Sequence, residues 1–226
     1  MLAHTQDTIR RAVRGPTVWV LLGLGFLAGW GGAGLAILAL GRGHTQTVGI
    51  VGETSHVIAV LVTLMTLARS LEEDRRSRFT AALDATAPGS SGRRLGRWGG
   101  AVALGLGVGA CLQAILGWTL GVLGQPADWL SLYSTTILVV VLAAGWGVLL
   151  SRAFGGGGMV LAGLLAWFLG HLPWGTPGFL EGPVGRALGA LLPGPRASDA
   201  ALSALAAAAG LLLVGLALGA RSTART

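Results

Sequence analysis

Six stretches of the chain carry almost no charge, at about 17–40, 48–69, 99–123, 129–150, 158–172 and 200–220. A bilayer core about 30 Å thick needs roughly 20 apolar residues per helix, so each stretch reads as a membrane-crossing helix. The fifth is short because Gly155 to Gly158 and Pro173 bracket it with helix breakers. The predicted fold class is all-α, a polytopic membrane protein with six transmembrane helices. Polar residues fill the chain before the first stretch, and that stretch is too long for the apolar core of a secretory signal, so it reads as a retained span.

The segments between the spans have patterns of their own. In residues 1–16, Ile9, Ala12 and Val13 recur at helical spacing beside Arg10, Arg11 and Arg14, and Pro16 marks the break into the first span. This predicts an N-terminal amphipathic helix lying in the membrane interface, ahead of a six-span domain over 17–226. In the segment 70–98, Ser77 is placed to cap a short helix from Arg78 to about Thr86, with Phe79, Ala82 and Leu83 on one face. The run from Pro88 to Gly92 is expected to stop it. The apolar face has two readings: a docking surface for a cytosolic partner, or packing against the protein's own helix ends. In the segment 172–199, Pro183 opens and Pro193 closes a helix whose Val184, Leu188, Leu191 and Leu192 share a face. That helix is expected to dip into the outer leaflet or to cover the bundle.

Composition sharpens this picture. Of 226 residues, 53% are hydrophobic and 11% charged, with mean hydropathy +0.71 and net charge +7. All 16 basic residues are arginine. With the N-terminus inside, thirteen arginines fall in inner segments, and only Arg42, Arg186 and Arg196 lie outside. The positive-inside rule therefore places both termini in the cytoplasm. The excess charge is a topology signal with some attraction to anionic lipid, and nucleic acid is not needed to explain it. A single cysteine, Cys111, excludes a disulfide within the chain and a cysteine-based zinc site; it reads as a small packing residue. The 39 glycines lie mostly inside the apolar runs. Their spacing in spans one and three suits close helix packing, within the chain or between chains.

Ionisable residues inside a membrane are functional hypotheses by default. Glu53 and His56 stand i, i+3 on the outer part of span two. Three readings compete: a local ion pair or interfacial anchor, a polar lining of a transport route, and a metal or haem ligand. His44 and His171 also sit toward the outside and form a loose cluster on paper. Gln113 in span three reads as an interhelical hydrogen-bonding residue or as a pathway residue. No metal site is predicted.

The order of elements resembles the membrane subunits of ABC-2 (type V) ABC exporters, over nearly the whole chain. Glu72 and Glu73, then Thr80 to Leu83, then Ala87-Pro88, then Arg93, Arg94 and Arg97 before Trp98 are similar to that family's coupling loop. Leu191-Leu192-Pro193 before the last span is also similar. The family's usual Lys near the start of span three is replaced by Arg97, and the first external loop is very short. The resemblance implies a permease in a bacterial inner membrane, with a short coupling helix between spans two and three. It further implies a separate cytosolic ABC ATPase holding ATP and Mg, and a second permease subunit in a homodimer or heterodimer. Arg78, Phe79, Ala82, Leu83, Arg93 and Arg94 would meet the ATPase, and Glu53, His56 and Gln113 would lie along the substrate route. No Walker A pattern exists, and without lysine none is possible, so no cofactor and no catalytic residue are expected on this chain. Two alternatives are a non-transporting assembly factor and an intramembrane protease. The second would need a nucleophilic serine and a histidine on another span, whereas Ser134 stands between Tyr133 and Thr135, and span six has no histidine.

Overall fold

Each of the six apolar stretches carries a helix. The computed structural model describes residues 2–40, 44–76, 90–122, 129–151, 153–172, 182–194 and 205–214. Among these residues all regular structure is helical: α1 (Leu2–Arg14), α2 (Pro16–Leu40), α3 (His44–Arg76), α4 (Ser90–Val122), α5 (Trp129–Leu150), α6 (Gly156–Leu169), α7 (Pro183–Leu191) and α8 (Leu205–Val214). Three segments are long and apolar enough to cross a membrane, Gly49–Glu73, Arg94–Trp118 and Leu132–Leu150. A fourth crossing arises if α1 and α2, bent by 67°, are taken together. The 14 residues of α6 reach about 21 Å at 1.5 Å per residue, so length alone does not qualify it as a span.

The bend between α1 and α2 follows from local chemistry. Proline has no N–H to continue the ladder and suits the first helical position, and Pro16 takes that position in α2. Gly15 N donates to Ala12 O at 3.1 Å, closing α1. The Trp19 indole N–H then donates to Val13 O at 2.8 Å, satisfying a carbonyl that the bend leaves open. The inward face of α1 is held to the start of α4. Thr5 Oγ1 donates to Gly96 O at 3.0 Å, and the buried Thr8 lies so close to Gly100 that a Cβ there would be 2.8 Å from its own. Ile9 and Ala12 complete the contact, while Leu2 and Val13 point outward.

The centre of the fold is α3, which packs against α2, α4, α5 and α6. Its neighbours approach closely because their facing residues are small. Gly25 and Gly29 of α2 sit against Ile58, Leu112 and Leu116, and Gly109 of α4 against Ala59 and Thr136. A Cβ on Gly105 would collide with Thr63 Oγ1. Gly23, Gly31 and Gly107 meet nothing within 4 Å. The glycines thus divide into a set that packs within the chain and a set that faces outward. Cys111 is exposed and does not pack inside. The contacts Gly156 to Ala68, Gly163 to Leu64 and His171 to Glu53 run α6 antiparallel to α3.

Two expectations change, and the two alternatives for the helix opened by Pro183 are narrowed. Ser90, Ser91 and Gly92, read as helix-stopping, open α4 instead, because serine is as suited to starting a helix as to a turn. With α3 running on to Arg76, the segment 70–98 is mostly helix continuing from its neighbours, and 77–89 lies outside the described residues. In α7 the small residues Gly185, Gly189 and Ala190 are buried, while Val184, Leu188 and Leu191 are exposed. The helix turns its large apolar side chains away from the protein. It is tied down at its C-terminal end, where the Trp146 indole N–H donates to Leu191 O at 2.8 Å and Gly194 meets Gly170 backbone to backbone.

Candidate functional site

Polar side chains inside apolar helices must find partners, and near the start of α3 they find them on three other helices. Gln113, buried on α4, is the hub. Its amide N–H groups donate to Thr136 Oγ1 of α5 at 2.5 Å and to Ser55 Oγ of α3 at 3.2 Å, with a longer approach to Leu132 O at 3.4 Å. Each hydroxyl in turn donates to its own helix, Ser55 to Gly52 O and Thr136 to Leu132 O, both at 2.8 Å. A hydroxyl carries one donor and two acceptor sites, so both can serve Gln113 without giving up their local bond. Ser55 and Thr136 are fully buried, and Gln113 is 3% exposed. The arrangement ties α3, α4 and α5 at one level.

Two residues nearer the start of α3 than Ser55, Glu53 is paired across the bundle. Its carboxylate lies 2.7 Å from His171 Nε2, at the end of α6, and His171 Nδ1 lies 2.9 Å from Trp167 O. Both ring nitrogens therefore face acceptors. Two donors against two acceptors fit an imidazolium beside a carboxylate, and moving one proton to Glu53 leaves a neutral pair in the same geometry. The Trp167 ring backs the imidazole at a centroid distance of 4.2 Å. The pair is half-buried, with side-chain exposures of 43% for Glu53 and 27% for His171.

His56 is the local partner that spacing offers Glu53, but the short contact goes to His171, 118 residues away in sequence. His56 is 4% exposed, and its Nε2 has no hydrogen-bond partner among the described residues. Together, the buried Ser55, His56, Gln113 and Thr136 and the half-buried Glu53 and His171 make a polar patch in an otherwise apolar bundle. The carboxylate and the two imidazoles can hold or pass a proton, and the amide can hydrogen-bond a polar group. Among the described residues no three His, Cys, Asp or Glu side chains converge as a metal site. Sequence reasoning finds Glu53, His56 and Gln113 from their isolation in apolar runs. It misses Ser55 and Thr136, since lone hydroxyls in a span are unremarkable until a partner faces them.

The other predicted residues stand apart from this patch. Arg93 and Arg94 lie in the first two turns of α4, and Arg94 is half-buried. Arg78, Phe79, Ala82 and Leu83 lie outside the described residues. Around the C-terminal end of α3, Arg97 Nη1 donates to Ser70 O at 2.6 Å, and Arg11 bridges Asp7 at 2.8 Å and Glu73 at 3.2 Å. The hydrogen bond and charge of Asp7, with Glu73 adding, raise the Arg11 guanidinium above its already high ordinary value. No protein-family model matches the chain, and no curated protein or solved structure matches it either.

Proposed function

We propose that the chain is the membrane subunit of an ABC-2-like exporter. In this reading six spans cross a bacterial inner membrane with both termini inside, and the chain works as a dimer with a separate cytosolic ATPase. The observation that carries it is the pairing of α3 with α4. These are two 33-residue helices, packed along their length and joined by the segment 77–89 at their arginine-bearing ends. That segment holds Phe79 and Leu83, and the same two helices carry Glu53, Ser55 and Gln113 at their far ends. A force applied to the segment by a closing ATPase reaches the polar patch through two continuous helices. Among the described residues the patch's hydrogen bonds to α5 run from Gln113 to Thr136 and Leu132 O, and that to the end of α6 lies between Glu53 and His171. Tilting of α3 and α4 would open the bundle beside Glu53 and so expose a polar route toward the outer surface.

The test is at the joining segment. Burying an apolar side chain the size of Phe or Leu is worth about 1.5–3 kcal/mol, whereas exposed ion pairs contribute about 0–1 kcal/mol. The apolar face should therefore dominate the affinity for an ATPase. The double variant Phe79→Asp/Leu83→Asp is expected to insert normally, to lose the co-purifying ATPase and to abolish ATP-dependent transport. Arg75→Ala is expected to weaken binding modestly and mainly at low salt, where the charge it removes is least screened. Co-purification of the ATPase at wild-type stoichiometry with the double variant would falsify the assignment.

A further inference from the structure

At the other end of α3, away from the polar patch, a cavity of about 270 Å³ lies in the angle between α1, α2, α3 and α4. Its rim is charged and unbalanced: Arg11, Arg14, Arg69 and Arg97 face Asp7 and Glu73. Both carboxylates are taken up by Arg11. Arg14 and Arg69 are exposed, with no carboxylate partner among the described residues. The Arg69 guanidinium is drawn over the α1–α2 bend, where a Cβ on Gly15 would stand 3.0 Å from its Nη1.

The floor of the same cavity is mostly apolar, with Thr17 and Thr66 among its residues. Val18, Leu21, Val62 and Met65 line it together with Ala12. Val62 stands seven residues before Arg69 on α3, so the floor lies about 10 Å below the rim along that helix, and Leu21 reaches it from α2, beyond the bend. A soluble anion is matched by the rim alone and gains nothing from such a floor. An amphiphile with a phosphate at one end and hydrocarbon at the other is matched by both. The Trp19 indole, exposed beside the bend and hydrogen-bonded to Val13 O, is the kind of side chain that settles at headgroup level.

We infer that this cavity is a binding site for one anionic glycerophospholipid of the inner leaflet, its phosphate between Arg14 and Arg69 and its glycerol end on Val18 and Val62. The inference rests on the reading that these helices sit in a bilayer, and it does not depend on export. Bound there, the lipid would complete the contact between α1 and the spans, where Arg14 and Arg69 have no carboxylate partner among the described residues.

The test uses the full-length chain in detergent micelles, titrated with phosphatidylglycerol, with the lipid retained per chain counted by native mass spectrometry. Removing both guanidinium groups from the phosphate, in Arg14→Gln/Arg69→Gln, should weaken retention on the order of thirtyfold. Arg14→Lys/Arg69→Lys keeps the charge and should recover most of it. Arg10→Gln removes one charge from the same helix outside the cavity and should change little. If the double Gln variant does not fold, Arg14→Gln alone, at an exposed position, is expected to weaken retention about fivefold. Equal loss in the Arg10→Gln control, unchanged retention in the double variant, or displacement of the lipid by millimolar inorganic phosphate would each overturn the lipid site. Release of the wild-type chain from membranes by alkaline carbonate would overturn the bilayer reading itself, and this inference with it.

Discussion

The two ends of α3 meet the same physical problem, charge beside an apolar bundle, in opposite ways. At one end Glu53 is matched to His171, and Gln113 spreads its donors over Ser55 and Thr136, so the polar groups largely satisfy one another. At the other, Arg11, Arg14, Arg69 and Arg97 line a cavity in which, among the described residues, Asp7 and Glu73 are both engaged by Arg11. The first end is closed by the chain's own side chains and joins four helices. The second is left open toward whatever lies outside the chain. A self-satisfied polar cluster resists being parted until something pulls its helices, whereas an unbalanced basic rim gains by acquiring a ligand. The comparison teaches that a strong field and a strong contact need not coincide on one helix.

The largest expected effect comes from breaking the seam that keeps the two ends in register. Gly105 of α4 lies against Thr63 and the backbone of Ala59, and Thr63 Oγ1 is already committed to Ala59 O at 2.7 Å. Gly105→Leu has nowhere to place its side chain without parting α3 and α4. Overpacking of this kind costs about 1–3 kcal/mol, and the upper part of that range is expected from unfolding in mixed micelles. Gly107→Leu, on a face that meets nothing within 4 Å, should leave stability within about 0.5 kcal/mol. Equal destabilisation of both variants would mean that the seam is misplaced.

A smaller effect is expected from Gln113→Leu, which removes the hub but preserves volume. Interhelical hydrogen bonds between membrane helices are worth about 0.6 kcal/mol on average and up to about 1.7. Because Ser55 and Thr136 keep their own helix bonds, the loss should stay near 1 kcal/mol. Removing the hydroxyls as well, in Ser55→Ala/Thr136→Val, should then add little, since the coupling has already gone. An additive triple variant would show that the three side chains do not act as a unit.

Much of this is legible in the sequence, and the parts that are not share a cause. The six apolar runs locate the helices, since burial over some 20 residues leaves little alternative to a helix. The helix ends are harder: Ser90 and Ser91 suit a turn and a helix start equally. The outward face of α7 agrees with the leaflet-dipping alternative, although the same large apolar side chains would mark the core of a soluble protein. In a helix set against lipid, small residues such as Gly185 and Gly189 mark the contact instead. Glu53 and Gln113 announce themselves by isolation, yet the partner of Glu53 lies 118 residues away, beyond any local spacing rule. The basic cavity is hidden for a similar reason. Its arginines come from three separate segments, where each one reads as a topology signal, and only the bend at Gly15 brings Arg14 beside Arg69.

At the closed end, Glu53→Gln sharpens the comparison by removing charge and keeping shape. A glutamine still hydrogen-bonds His171, so accumulation of the protein should match wild type and stability should change by no more than about 0.5 kcal/mol. Glu53→Ala strands the imidazole and should cost about 1 kcal/mol. If the pair lines a route, transport falls in both variants. Failure of the Gln variant to accumulate would assign Glu53 to anchoring α6.

The smallest effect on the bare protein is expected at the open end, and there the contrast is decided by a ligand. Arg14 and Arg69 have no carboxylate partner among the described residues, so Arg14→Gln/Arg69→Gln should leave stability in lipid-free micelles within about 0.5 kcal/mol. Anything that binds the folded chain stabilises it by mass action. Phosphatidylglycerol at about ten times its dissociation constant should add about 1.4 kcal/mol to the wild type. The same addition to the double variant, with its affinity lowered some thirtyfold, should add about 0.2 kcal/mol. The Glu53→Gln variant, altered at the other end of α3, should respond to lipid as the wild type does. A lipid response lost equally in Glu53→Gln would mean that the two ends are one coupled site, and the contrast drawn between them would have to be abandoned.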